Sequence, residues 1–111
     1  MAGHDELAER RFGKKVDRLK ALMEASLRPA YRGYYGQLVL TDRQVGEIGD
    51  MAEVRRAARA AGRALGWKTV THIAPDGRVI IVDDRDPPAD VQALAQRLAA
   101  EAVANYLNQY R

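Results

Sequence analysis

The chain has 111 residues, a formal net charge of +3 and no Cys, so one domain (1–111) is expected and disulfide, thiolate-zinc and iron–sulfur chemistry is excluded. Its composition, 47% hydrophobic and 30% charged, is that of a chain that packs a core rather than a disordered one. Apolar runs fall far short of the ~18 residues of a membrane span, and charge from Asp5 onward does not suit a signal peptide; no membrane partner and a cytoplasmic location are expected.

Residues 1–5 are expected to fray, with the core running from 12 to 107. Glu6 to Leu27 reads as a long helix, because Phe12, Val16, Leu19 and Met23 recur at spacings of three and four with Leu22 beside them. Gly13 weakens its early turns by about 1 kcal/mol relative to Ala. Pro29 ends it, since the residue before a proline is pushed out of the helical region. Arg32-Gly33-Tyr34-Tyr35-Gly36 is a turn-rich connector, and Gln37–Leu40 a short strand.

Thr41-Asp42-Arg43-Gln44 fits a capping box, in which Thr41 accepts from a backbone N–H and Gln44 reaches back. Leu40 and Val45 occupy the positions of a hydrophobic staple. Gly49 can take the left-handed conformation that stops a helix, so a short helix is predicted at 42–48. Asp50 caps the next helix, and Met51, Val54, Ala58, Ala61 and Leu65 form its apolar stripe before Gly66 stops it.

Trp67–Ile73 suits a strand, Ala74-Pro75-Asp76-Gly77 a type I turn, and Val79–Val82 a second, central strand of the same hairpin. Asp86 caps the last helix, with Pro87 and Pro88 in its first turn. Val91, Leu94, Ala95, Leu98, Ala102 and Tyr106 line one face of that helix, which runs almost to Arg111.

This order makes the chain α+β. Two helices meeting across a glycine turn and followed by a hairpin resemble a winged helix-turn-helix domain over residues 37–84. The resemblance implies that Met51–Leu65 is the recognition helix and Pro75-Asp76-Gly77-Arg78 the wing tip. It also implies that the long terminal helices support the domain or dimerise. A second parse omits the short helix and leaves a ferredoxin-like βαββα arrangement with a helical N-terminus.

Charge is uneven along the chain. Residues 1–72 carry 14 Lys/Arg against 9 Asp/Glu, and residues 73–111 carry 4 against 6. Helix 51–65 sets Arg55, Arg59 and Arg63 one turn apart, with Arg56 one ridge over and only Glu53 to neutralise them locally. A rigid row of guanidinium groups is what phosphate tracking or guanine-edge reading needs, although a merely solvated face has the same pattern. Arg11, Lys14, Lys15 and Arg18 form a second strip, expected to pair along its own helix with neighbouring acids. Arg28, Tyr31, Arg32, Tyr34 and Tyr35 either stack on bases or anchor the connector to the core, and anchoring is the simpler use.

Asp83, Asp84 and Asp86 sit where a strand ends and a helix begins, so structural use is expected rather than a metal site. His4 and His72 are the only histidines and Ser26 the only serine. There is no nucleophile elbow, phosphate-binding glycine loop or dinucleotide fingerprint. No enzyme activity and no cofactor are therefore expected. The leading expectation is a small dimeric regulator that binds double-stranded DNA through Arg55, Arg56, Arg59 and Arg63, with Lys68 and Arg78 touching phosphates. The alternative is a non-enzymatic protein-interaction module that docks a partner or a second copy through Leu94, Leu98, Tyr106, Leu107 and Tyr110.

Overall fold

The computed structural model describes the backbone of residues 2–110 and the side chains of residues 5–110; Met1 and Arg111 lie outside the described residues. Helix α1 (Ala2–Ala25) begins ahead of the expected Glu6, so Ala2–Asp5, expected to fray, are helical. It stops at Ala25, where Ser26 Oγ donates to the Met23 carbonyl at 2.6 Å. A single 3-10 turn, Pro29–Tyr31, leads into the connector, with Tyr31 buried.

Strand β1 (Gln37–Leu40) then runs into α2 (Asp42–Ile48). The predicted capping box is complete: the Gln44 N–H donates to Thr41 Oγ1 at 3.2 Å, and the Thr41 N–H donates to Gln44 Oε1 at 2.9 Å. Leu40 and Val45, the two staple residues, are both buried. Gly49 ends the helix at φ 148° and ψ −155°, a region open to glycine but not the left-handed helical one expected.

Helix α3 (Met51–Leu65) starts at the Asp50 cap, whose carboxylate accepts from the Glu53 N–H at 2.8 Å, and stops at left-handed Gly66. Strand β2 (Thr69–Ile73) starts two residues later than predicted, because Trp67 turns into the core instead. Gly36 lies directly against the Trp67 ring, where a Cβ would overlap it. The hairpin closes on the Gly77 N–H to Ala74 carbonyl bond, as a β-turn at Pro75–Asp76 requires. Strand β3 (Val79–Asp83) follows, then α4 (Ala89–Gln109).

The three strands form one antiparallel sheet in the order β1-β3-β2. A split β-α-β unit gives this same order, with β1 and β2 parallel on either side of an antiparallel β3, so the sheet fits both parses; what separates them is α2, which the ferredoxin-like parse omits and which is present. Register places Leu40, Val79 and Ile81 on the helix-facing side, with Thr69 and Thr71 on that side at the β2 edge. Leu19 and Met23 of α1, Val54 and Ala57 of α3, and Leu40 and Ile81 of the sheet lie together in the core. The whole is a small α+β domain with four α-helices among the described residues.

Asp86 does not cap α4. That helix starts at Ala89, with Pro88 at its N-cap and no capping side chain. The reason is Pro87-Pro88, since each proline pushes the residue before it into an extended conformation. Of the apolar line predicted for α4, only Val91 is buried. Leu94, Ala95 and Leu98 are half-buried, and every residue from Ala99 to Tyr110 is exposed. No described helix is long and apolar enough to cross a membrane.

Candidate functional site

Helix α3 owes its placement to small side chains. Ala57, Ala58, Ala61 and Gly62 are all buried, which lets its backbone lie close to α1 and β2. The closest approach is at Gly62, where an added Cβ would overlap Thr69 Oγ1. That hydroxyl is itself buried without a hydrogen-bond partner. With its small-residue face turned inward, α3 turns Arg55, Arg56, Arg59 and Arg63 outward, and all four are exposed.

Glu53, the one acid expected to neutralise the row, is engaged elsewhere. Its carboxylate takes Lys15 Nζ of α1 at 2.7 Å. Among the described residues, no carboxylate lies within 4.0 Å of Arg55, Arg59 or Arg63, although ion pairs form at many other cations. Arg56 leaves the row toward α1, with its guanidinium carbon 4.7 Å from the centre of the Phe12 ring. Arg55 and Arg59 lean the other way. With Thr69, Val70 and Thr71 they line an open cleft of about 310 Å³ between α3 and the β2 edge. The row is therefore three unneutralised cations, two of them walled by a strand that carries threonine hydroxyls.

Lys68 and Arg78 stand apart from it. Lys68 Nζ is 4.0 Å from an Asp84 carboxylate oxygen, and Arg78 Nε is 2.7 Å from Asp76 Oδ2. The Asp76 carboxyl is held below its ordinary pKa, first by the Arg78 backbone N–H and also by the Arg78 charge. Both cations thus carry local counter-charge that the α3 row lacks. The α1 strip pairs across the fold rather than along its own helix: besides Lys15–Glu53, Arg18 reaches Glu47 of α2 at 3.1 Å. That pairing follows from α1 packing alongside α3 and takes up half of the strip, while Arg11 and Lys14 have no carboxylate within 4.0 Å among the described residues.

The tyrosine-rich connector anchors the fold. Tyr31 is buried, its ring lies 5.3 Å from that of Tyr35, and Arg85 sits 4.5 Å from the Tyr34 ring. Asp83 is turned inward and accepts from the Lys68 N–H (3.0 Å) and from Arg85 Nε (2.8 Å). Thr71 beside Arg55 and Arg59 was not legible from sequence. Trp67–Ile73 mixes polar and apolar residues on both faces, so only the strand register places Thr71 next to α3. Comparison with protein-family models, curated proteins and solved structures finds no match.

Proposed function

We propose that this protein binds nucleic acid, double-stranded DNA in the first place, through the open face of α3. The observation that carries the reading is the row of Arg55, Arg59 and Arg63, exposed on one rigid helix and free of carboxylate partners. The row extends about 12 Å along the helix axis. Cations fixed in place and left unpaired gain most from phosphates, whose condensed counterions they release. Arginine suits this role because its planar fork meets phosphate or a guanine edge with two hydrogen bonds. Thr71 at the cleft adds a hydroxyl donor of the kind that fixes a backbone contact.

The element order α1-β1-α2-α3-β2-β3, with two helices between β1 and β2, supports the winged-helix reading, in which α3 is the recognition helix. Lys68 and Arg78, already paired with Asp84 and Asp76, play the lesser part in this reading. The uncovered apolar end of α4, with Tyr106, Leu107 and Tyr110 exposed, favours a homodimeric regulator. The same helix would serve the second reading, a protein-interaction module that binds no nucleic acid.

Fluorescence anisotropy with a labelled duplex at low ionic strength separates the two. The wild type is expected to bind in a salt-sensitive manner, and Arg55→Glu with Arg59→Glu to abolish binding while the fold is retained. A wild type that binds no duplex at low salt leaves only the interaction module.

A further inference from the structure

We infer that the cleft between α3 and β2 seats one phosphate group, held by the Arg55 and Arg59 guanidinium groups and by Thr71 through both its hydroxyl and its backbone N–H. This deepens the preceding reading and rests on it for the source of the phosphate, a nucleic-acid backbone.

The first observation is an open strand edge. Strand β2 lies at one side of the β1-β3-β2 sheet, so only one of its edges is paired. The Asp84 N–H donates to the Lys68 carbonyl, and the Ala74 N–H to the Arg78 carbonyl. Hydrogen-bonded positions alternate along an antiparallel pair, so Val70 and His72 turn their backbone groups toward β3. Thr69, Thr71 and Ile73 turn theirs to the open edge. The Thr71 side chain, opposite Ile81, lies on the face of the sheet that meets α3. Its hydroxyl and its N–H therefore border the same corner, between the strand edge and the helix.

The second observation is what lines that corner. Arg55 and Arg59, about 6 Å apart along the helix axis, form one wall of the cleft, and Thr69, Val70 and Thr71 form the other. Its volume of about 310 Å³ is that of roughly ten waters, room for a phosphate with part of its hydration. A ligand held by apolar contact finds only Val70 there. Thr69 brings a further hydroxyl, buried and without a partner. Each guanidinium has five donors, enough to serve phosphate oxygens and the edge carbonyls together.

The third observation is the absence of an acid. Two other clefts gather cations, and each includes a carboxylate that repels an anion. Arg10, Arg11 and Lys14 share theirs with Asp17, and Arg11 and Arg56 share theirs with Glu53. Of the three, the cleft between α3 and β2 is the one lined by cations and neutral donors alone. Its two kinds of contact differ in kind. Each arginine releases counterions from the nucleic acid, whereas a neutral hydroxyl or N–H releases none. Thr71 thus adds affinity that salt does not screen away, and it fixes where along the backbone the helix sits.

The test uses the full chain. Thr71→Val keeps a β-branched side chain on an edge strand and removes the hydroxyl. Duplex affinity is expected to fall about ten-fold at every salt concentration, with the wild-type slope of log affinity against log salt. Amide NMR of isotope-labelled protein reads the seat directly, with inorganic phosphate as the probe and chloride at matched ionic strength as the control. The Thr71 amide is expected to shift saturably with phosphate and not with chloride, and Arg55→Ala with Arg59→Ala to abolish the shift. Wild-type duplex affinity in Thr71→Val overturns the seat and leaves the arginine row. A phosphate shift no larger at Thr71 than at Arg10, Arg11 and Lys14 does the same. A wild type that binds no duplex yet shows the Thr71 shift overturns the nucleic-acid reading and leaves the seat, for the phosphate of another ligand.

Discussion

Asp83 carries its charge into the protein at the end of the central strand, with its side chain fully covered. Two backbone donors, the N–H groups of Lys68 and Arg85, and the Arg85 guanidinium satisfy it. Arg85 in turn donates to the Gly33 carbonyl at 2.9 Å and lies against Tyr34, so one carboxylate ties together β3, the start of β2 and the connector. The hydrogen bond that Arg85 donates to Asp83 also raises the Arg85 pKa above its ordinary value, so this arginine stays charged in any working buffer. Removing one partner of such a pair leaves the other charge and two backbone donors without an acceptor. Asp83→Ala is expected to lower unfolding stability by about 3 kcal/mol, read from urea denaturation monitored at Trp67. A loss below about 0.5 kcal/mol, the size of an ordinary surface substitution, would show that water replaces the carboxylate freely.

Among the elements, α2 depends most on a local signal, because seven residues are too few to hold a helix by propensity. Both halves of its capping box are made, and Val45 and Ile48 bury its apolar side. Thr41→Ala is expected to destabilise the protein by about 1 kcal/mol, and Thr41→Ser by distinctly less, in the same denaturation assay. This helix shows what the sequence makes legible. Caps, glycine stops and three-and-four spacing are set by residues close in the chain, so α1, α2, α3 and the hairpin could be read almost to their ends. What depends on distant partners could not be read. The apolar line of α4 resembled a core-facing stripe, yet only Val91 is buried and Ala102 and Tyr106 are exposed. Glu53 appeared to be the local counter-charge of the arginine row until the packing of α1 against α3 brought Lys15 to it. The row itself was visible in the sequence, whereas its division, with Arg56 over Phe12 and Arg55 and Arg59 beside Thr71, depended on tertiary contacts.

At the scale of the whole molecule, shape and charge act together. The radius of gyration is 17.3 Å, well above the ~13 Å of a compact chain of this length, and the longest extent is 66 Å. The excess comes from helix ends that stand away from the body, most clearly the exposed second half of α4. The net charge of +3 is not spread over this elongated surface, because many cations are spent on nearby carboxylates. Among the described residues, Arg55, Arg59 and Arg63 have no carboxylate within 4.0 Å, and Arg10, Arg11 and Lys14 of α1 are a second group without one. Salt dependence can tell binding by the α3 row apart from a general attraction of a basic protein for a polyanion. If the three arginines make the phosphate contacts, a plot of log affinity against log salt has a slope of about −3 for each bound copy. Each Arg→Ala change within the row then reduces that slope by about 1. Lys68→Ala and Arg78→Ala leave it nearly unchanged, because removing either cation also frees the carboxylate it neutralised. A slope that responds equally to all five substitutions would mean that net charge, and not the α3 row, does the binding.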